Sequence, residues 1–239
     1  MPLANAAVVI PAYNEERRIA ATVRAAAGIP GVDVVVVVDD GSDDGTSARA
    51  AEAGADVVTA AVNAGKAAAM ELGADRVAQL DPRDGGGEHV LLFLDADLEE
   101  SASRAAPLLD AVLAGDADVT IATLPTQPGG GHGFVVNLAR DGISDATGWT
   151  AEQPLSGQRA LTRSAFESVR PLATGFGVEV GMTIDLLRSG HTVLEVPVDL
   201  RHRVTGKDWR AQLHRGRQFW AVWRALRARG VGPRVPVPR

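Results

Sequence analysis

A chain of 239 residues with no cysteine and a net charge of −6 is long enough for one large core, and it excludes disulfide frameworks, thiolate metal sites and thiol nucleophiles. No apolar run approaches the length that spans a bilayer and no secretory leader pattern opens the chain, so a reducing, cytoplasmic setting is expected. The charge is unevenly placed: residues 201–239 hold 11 Lys and Arg against one acid, Asp208, leaving residues 1–200 at −16, which points the C-terminal segment to an anionic partner, and no nucleic-acid reading motif accompanies it.

Ala6 to Ile10 is predicted as a short apolar strand, closed by Pro11 and Asn14. A helix is expected from Glu15 to Ala27, with acids in its first turn where the helix dipole favours them. Val34 to Val38, five consecutive valines, reads as a strand at the centre of a sheet. It runs into Asp39-Asp40-Gly41-Ser42-Asp43-Asp44-Gly45-Thr46, whose glycines permit a tight turn and whose Ser42 or Asp43 can cap a helix from Thr46 to Ala53. Ala55 to Thr59 is a third strand. Asn63-Ala64-Gly65-Lys66 enters a helix with a lysine in its first turn, against the dipole. A bound phosphate accounts for that lysine better than helix stability does; an ordinary exposed lysine is the plainer alternative. Residues 81–88 read as a surface loop.

His89-Val90-Leu91-Leu92-Phe93-Leu94-Asp95-Ala96-Asp97 follows, an apolar run ending in two acids. The run lacks alternation and reads as a buried parallel strand, and ligands of open α/β sheets sit beyond the carboxyl ends of such strands. Residues i and i+2 of an extended segment share a side, so Asp95 and Asp97 are expected to repel unless a cation lies nearby. Carboxylate oxygens suit Mg²⁺ or Mn²⁺ carried by a diphosphate; a helix cap and a solvated acid are the plainer alternative. Glu15, Asp39/Asp40 and Asp95/Asp97 are expected along one edge of the sheet, where they would serve a cation together with sugar or ribose hydroxyls. The β-α-β alternation predicts an α/β fold with a mostly parallel sheet.

In the second half, Ser103 to Ala114 is predicted as a helix, Asp118 to Thr123 as a strand, Pro125 to Gly133 as a flexible loop that orders on a ligand, and Phe134 to Ala146 as a helix. Ser156 to Arg163 reads as a turn and short strand, with Ser164 capping a helix that ends before Pro171. Thr174-Gly175-Phe176-Gly177-Val178-Glu179 opens a helix with Glu179 in its first turn, and Thr192 to Val198 is a strand. His202, between Arg201 and Arg203, would be kept neutral by those cations, as a metal ligand requires, while the arginines suit phosphate oxygens. From Asp208 to Arg229, Trp209, Leu213, Phe219, Trp220, Trp223 and Leu226 share one helical face with arginines beside it. That pattern fits a peripheral contact with anionic lipid at the inner face of the membrane, or packing on the domain or on a second copy as a homodimer. The division expected is a domain over 1–204 and a basic helix with a proline-rich tail over 205–239.

Val-Ile-Pro-Ala-Tyr-Asn-Glu (9–15), Val-Asp-Asp-Gly-Ser-Asp-Asp-Gly-Thr (38–46), Asn-Ala-Gly-Lys (63–66) and Leu-Asp-Ala-Asp (94–97) together resemble the GT-A fold (Rossmann-like) nucleotide-sugar glycosyltransferases of family 2 over nearly all of residues 6–204. Gly-Phe-Gly-Val-Glu-Val-Gly (175–181) and His202-Arg203 are most similar to segments of the glucosyl-3-phosphoglycerate synthases; the polyprenyl-phosphate glycosyltransferases have a similar first half. The resemblance implies that Pro11, Ala12, Tyr13 and Glu15 line the nucleotide pocket, that Asp39 or Asp40 meets the base or ribose, and that Lys66 meets the nucleotide or its phosphates. It further implies that Asp97, with Asp95 and His202, holds Mg²⁺ or Mn²⁺ on the diphosphate, that Arg203 lies near the phosphates, and that Glu179 contacts the sugar or the acceptor hydroxyl. Such an enzyme would move a sugar from a UDP-sugar to a small phosphorylated or lipid-phosphate acceptor. No Glu-Asp pair of the kind that supplies a base in many inverting members is found, and Gln158-Arg159 only partly matches the Gln-x-x-Arg-Trp segment of processive synthases. Two alternatives are a nucleotidyltransferase, disfavoured because residues 11–18 are not a glycine-rich basic loop, and a non-catalytic module on a degenerate transferase fold.

Overall fold

The computed structural model describes residues 5–81, 87–125, 133–200 and 209–232, with side chains of the last segment from 216 onward except 217. Seven strands form one sheet: β1 (Ala6–Ala12), β2 (Val32–Asp39), β3 (Asp56–Thr59), β4 (Val90–Phe93), β5 (Val119–Thr123), β6 (Arg159–Leu161) and β7 (Val193–Pro197). Their order is β3-β2-β1-β4-β6-β5-β7. All neighbours are parallel except β6, which runs antiparallel between β4 and β5. The valine-rich strand β2 is therefore second from the edge, not central; β1 on one side and the helices on both faces suffice to bury it.

Eight α-helices are found among the described residues, the last of them after the final strand: α1 (Ile19–Ala27), α2 (Thr46–Glu52), α3 (Lys66–Leu80), α4 (Ala106–Leu113), α5 (Phe134–Thr147), α6 (Arg163–Ser168), α7 (Val178–Arg188) and α8 (Trp209–Ala228). The period of two in β1 sorts its residues between two cores. Ala6, Val8 and Ile10 pack with Ile19 and Val23 of α1 and Leu108 and Leu109 of α4. Ala7 and Val9 pack with Met70 and Val77 of α3, Phe166 of α6 and Met182 of α7 on the opposite face. A third cluster joins Leu138 and Ile143 of α5, Val180 and Ile184 of α7, and Val222 and Leu226 of α8, so one face of α8 packs on the domain.

Several boundaries depart from the sequence-based expectation. Helix α1 begins at Ile19, not Glu15, because Asn14 takes a left-handed φ of 56° and residues 16–18 complete a turn. The helix expected from Ser103 splits into a 3₁₀ segment, Glu99–Ala105, and α4; Pro107 has no N–H to give and is tolerated in the first turn of α4. Thr162, not Ser164, caps α6, its Oγ1 accepting the Ala165 N–H at 3.2 Å. The Asp43 and Ser42 side chains do not cap α2; Asp44 Oδ1 instead accepts the Thr46 N–H at 3.0 Å. Most of the predicted loops over 81–88 and 125–133 lies outside the described residues.

Candidate active site

The carboxyl ends of β1, β2 and β4 meet at one edge of the sheet, as the three acid-bearing strand ends suggested. Between β1 and α1, Asn14 donates its N–H to Ser42 Oγ at 2.9 Å and accepts the Asp43 N–H on Oδ1 at 3.0 Å; Glu15 donates its N–H to Thr46 Oγ1 at 2.9 Å. These bonds tie the loop after β1 to the loop after β2. Pro11 and Ala12 lie opposite Val38 and Asp39 in the sheet, and Tyr13 stands exposed beyond them.

Asp39 and Asp40 are both buried. Asp39 accepts the Ser42 N–H at 2.9 Å and the Ser47 hydroxyl, so it shapes its own loop. Asp40 receives the N–H groups of Ala64 at 2.8 Å and Gly65 at 2.7 Å, one on each oxygen. A two-pronged carboxylate thus sets the entry to α3, and with it the position of Lys66.

Lys66 Nζ donates to Asp95 Oδ1 at 2.8 Å and lies 3.1 Å from Glu179 Oε1. Burial works against the ammonium, but the charges of Asp95 and Glu179 outweigh it and hold its pKa above the ordinary lysine value. The second oxygen of Asp95 accepts from Gln158 Nε2 at 2.5 Å. A Cβ added at Gly157 would lie 2.4 Å from Lys66 Nζ and 3.2 Å from Asp95 Oδ1, so the backbone there presses on the ion pair. Arg159 is 1% exposed; one terminal nitrogen donates to the Ser156 carbonyl at 2.7 Å, and the other has no hydrogen-bond partner among the described residues. Burial lowers the Arg159 pKa, partly offset by the charges of Glu179 and Asp95. Gln158 and Arg159 were the residues least visible as site members in the sequence; the only signal was their partial likeness to a synthase motif.

Asp97 is half-buried and sits in a turn, since β4 ends at Phe93. Its charge reaches Arg18, whose pKa is raised first by a hydrogen bond to Glu15 and then by the charges of Glu15, Asp97 and Glu99. Arg18 meets Glu15 at 2.8 Å and Glu99 at 3.4 Å. Lys66 of α3 is thus bonded to Asp95, while the charge of Asp97 acts on Arg18 before α1. His202 and Arg203 lie outside the described residues.

An open, mostly parallel sheet with an acid–lysine–acid cluster beyond its strand ends has the layout in which α/β enzymes bind their ligands. The chain belongs to the glycosyl transferase family 2, whose match covers residues 7–169. It is a glycosyltransferase with a GT-A-like fold. It is 31% identical to a polyprenol monophosphomannose synthase of Mycolicibacterium smegmatis over 96% of this chain and 92% of that one. It is 30% identical to a glucosyl-3-phosphoglycerate synthase of the same organism over 74% of this chain, spanning 62% of that relative's length. A glucosyl-3-phosphoglycerate synthase of Mycobacterium tuberculosis in complex with Mn²⁺, UDP and phosphoglyceric acid superposes with a TM-score of 0.77 at 26% identity, covering 97% of this chain and 80% of that one. The same synthase with Mg²⁺ and UDP gives 0.76, at 26% identity and coverage of 97% and 81%. The family match leaves the nucleotidyltransferase alternative without support.

Proposed function

We propose that this chain transfers a sugar from a UDP-sugar to an acceptor bearing a phosphate, with Mg²⁺ or Mn²⁺ at the end of β4. The observation that carries the reading is the Glu179–Lys66–Asp95 cluster, in which one ammonium is shared by two carboxylates at the carboxyl edge of the sheet. The donor set fits a hard divalent cation: Asp97 offers carboxylate oxygens, and Asp95 would join it where a bound ion displaces Lys66 or Gln158 from its own. No three Asp, Glu, His or Cys groups among the described residues gather closely enough to hold a metal alone. The ion would then be completed by oxygens of the donor diphosphate and by His202. When bound, it supplies positive charge against the leaving diphosphate.

The chain's own residues do the rest. Pro11, Ala12, Tyr13 and Glu15 border the nucleotide, on a loop held to the loop after β2 by the Asn14 and Glu15 hydrogen bonds. Asp40 positions Lys66 through the backbone of Ala64 and Gly65. Lys66 then turns part of its charge from Asp95 to the donor phosphates. Glu179, 12% exposed and already paired with Lys66, holds that lysine and orients the sugar or acceptor hydroxyl. Arg159, buried beside the cluster, adds its positive charge to Glu179 and Asp95, and Arg203 is the expected ligand of the donor phosphates. The phosphoglyceric acid of one relative's complexes and the polyprenol monophosphomannose in the other's name both carry a phosphate, as the proposed acceptor would.

The test is UDP binding by calorimetry with Mn²⁺, with chelator, and in Asp97→Ala, followed by transfer assays on a phosphoglycerate and a polyprenyl phosphate. Metal-dependent UDP binding lost in Asp97→Ala is the expected result. Equal binding under all three conditions sinks the proposal.

A further inference from the structure

Helix α8 has a second face that the described residues do not cover. Val222 and Leu226 are buried in the third core, but Trp220 is 59% exposed. Phe134, at the start of α5, is 51% exposed and stacks on Phe219 with ring centroids 5.3 Å apart. Trp220 meets Phe219 at 5.8 Å and Trp223 at 5.4 Å, both edge-on. Four aromatic rings thus form a continuous ridge along two helices. Two described arginines of α8, Arg224 and Arg227, stand beside it. Arg227 lies over the Trp223 ring at 5.3 Å, and Arg224 is exposed without an ion pair among the described residues. Arg229, by contrast, is neutralised by Asp185. Beside Trp220 runs a groove of about 710 Å³ bordered by Thr174, Gly175, Trp220, Arg224 and Ala228.

We infer that this ridge is a docking surface for an anionic lipid bilayer, with the Trp220 and Phe134 rings entering the headgroup boundary and the arginines meeting lipid phosphates. Aromatic rings beside arginines suit an interface that is apolar on one side and anionic on the other. No helix among the described residues is long and apolar enough to cross a membrane, so contact would be peripheral. A Cβ added at Gly177 would lie 2.7 Å from the Ala221 carbonyl of α8, and Glu179 follows two residues later in the first turn of α7, so α8 packs beside the segment that carries Glu179. The inference stands independently of the transferase reading.

The experiment is co-sedimentation of the full chain with vesicles of phosphatidylcholine alone or with about 30% phosphatidylglycerol. Binding is expected only to the anionic vesicles, weakened about tenfold by Arg224→Glu and by Trp220→Ala. Neither residue belongs to the cluster, so Mn²⁺-dependent UDP binding should stay at the wild-type level in both variants, which also shows them folded. Vesicle binding without any UDP binding would remove the UDP-sugar reading and leave the surface standing. Binding that ignores the anionic lipid overturns the surface. So does an absence of vesicle binding, whether the same substitutions abolish a dimer, abolish oligonucleotide binding or change nothing.

Discussion

The Lys66 ammonium and the Asp95 carboxylate meet at 2.8 Å across 29 positions of sequence, joining the first residue of α3 to the segment that leaves β4. Glu179 closes the group from α7. Lys66→Met removes the ammonium that bonds Asp95 and pairs with Glu179, leaving the charge of buried Arg159 acting on both. A loss of about 1–2 kcal/mol is expected, since the pair is only partly buried. Thermal unfolding should show a lower Tm that Mn²⁺ partly restores. An unchanged Tm with unchanged turnover would mean that the pair carries neither stability nor chemistry.

Gly157→Ala probes the same pair from the backbone side. Its Cβ would intrude on Lys66 Nζ, which is the end of a flexible side chain and can retreat. Stability should change little, while kcat/KM falls about tenfold through a misplaced ammonium. Steady-state kinetics beside a melting curve separates the two; equal activity would show that Lys66 tolerates displacement.

Asp40→Asn replaces one acceptor oxygen with a donor facing a backbone N–H. Asp40 is buried and receives two such groups, so about 1–3 kcal/mol should be lost. UDP affinity should fall as well, because the start of α3 loses its anchor. Calorimetry that finds wild-type affinity would separate Asp40 from the placement of Lys66.

Glu179→Gln keeps the shape and removes the charge that shares Lys66. Mn²⁺–UDP binding should persist, while turnover drops by about 10²-fold or more if the carboxylate orients or deprotonates the acceptor hydroxyl. Unchanged turnover takes Glu179 out of the chemistry.

Two groups define a pH window. The Asp56 carboxyl is held below the ordinary aspartate range by hydrogen bonds from Arg76, at 2.9 and 2.7 Å, against the opposing effect of burial. A depressed folded pKa contributes stability above the unfolded value of about 4 and loses it as pH falls through the folded value. The raised pKa of Lys66 contributes stability below the unfolded value of about 10.4 and loses it as pH rises through the folded value. The Tm deficit of Asp56→Asn should therefore be full at neutral pH and vanish in acid. That of Lys66→Met should persist to about pH 10 and vanish only above it. A deficit independent of pH in either variant would refute its assigned cause.

The loops that build the site were legible in sequence because each marks a local transition. An apolar run must end where Asp39-Asp40 or Asp95 begins, and such transitions are set by neighbouring residues alone. The α/β alternation was legible for the same reason, through the periods of two and 3.6. Element boundaries that depended on one backbone angle, such as Asn14 at a φ of 56°, were not.

The amino-acid order by itself determined the strands, the acids at their ends and the basic, aromatic last helix, because propensity, patterning and charge act over a few residues. Which acid meets which cation was decided only by the tertiary structure. Lys66 reaches Asp95 because β4 lies beside β1 and α3 packs across them, and it reaches Glu179 because α7 covers the same face. Gln158 and Arg159 join the group because β6 inserts antiparallel next to β4. Coulomb energy falls with distance in space rather than along the chain, so only the folded sheet, which brings these remote segments within hydrogen-bonding reach, could assign the pairs.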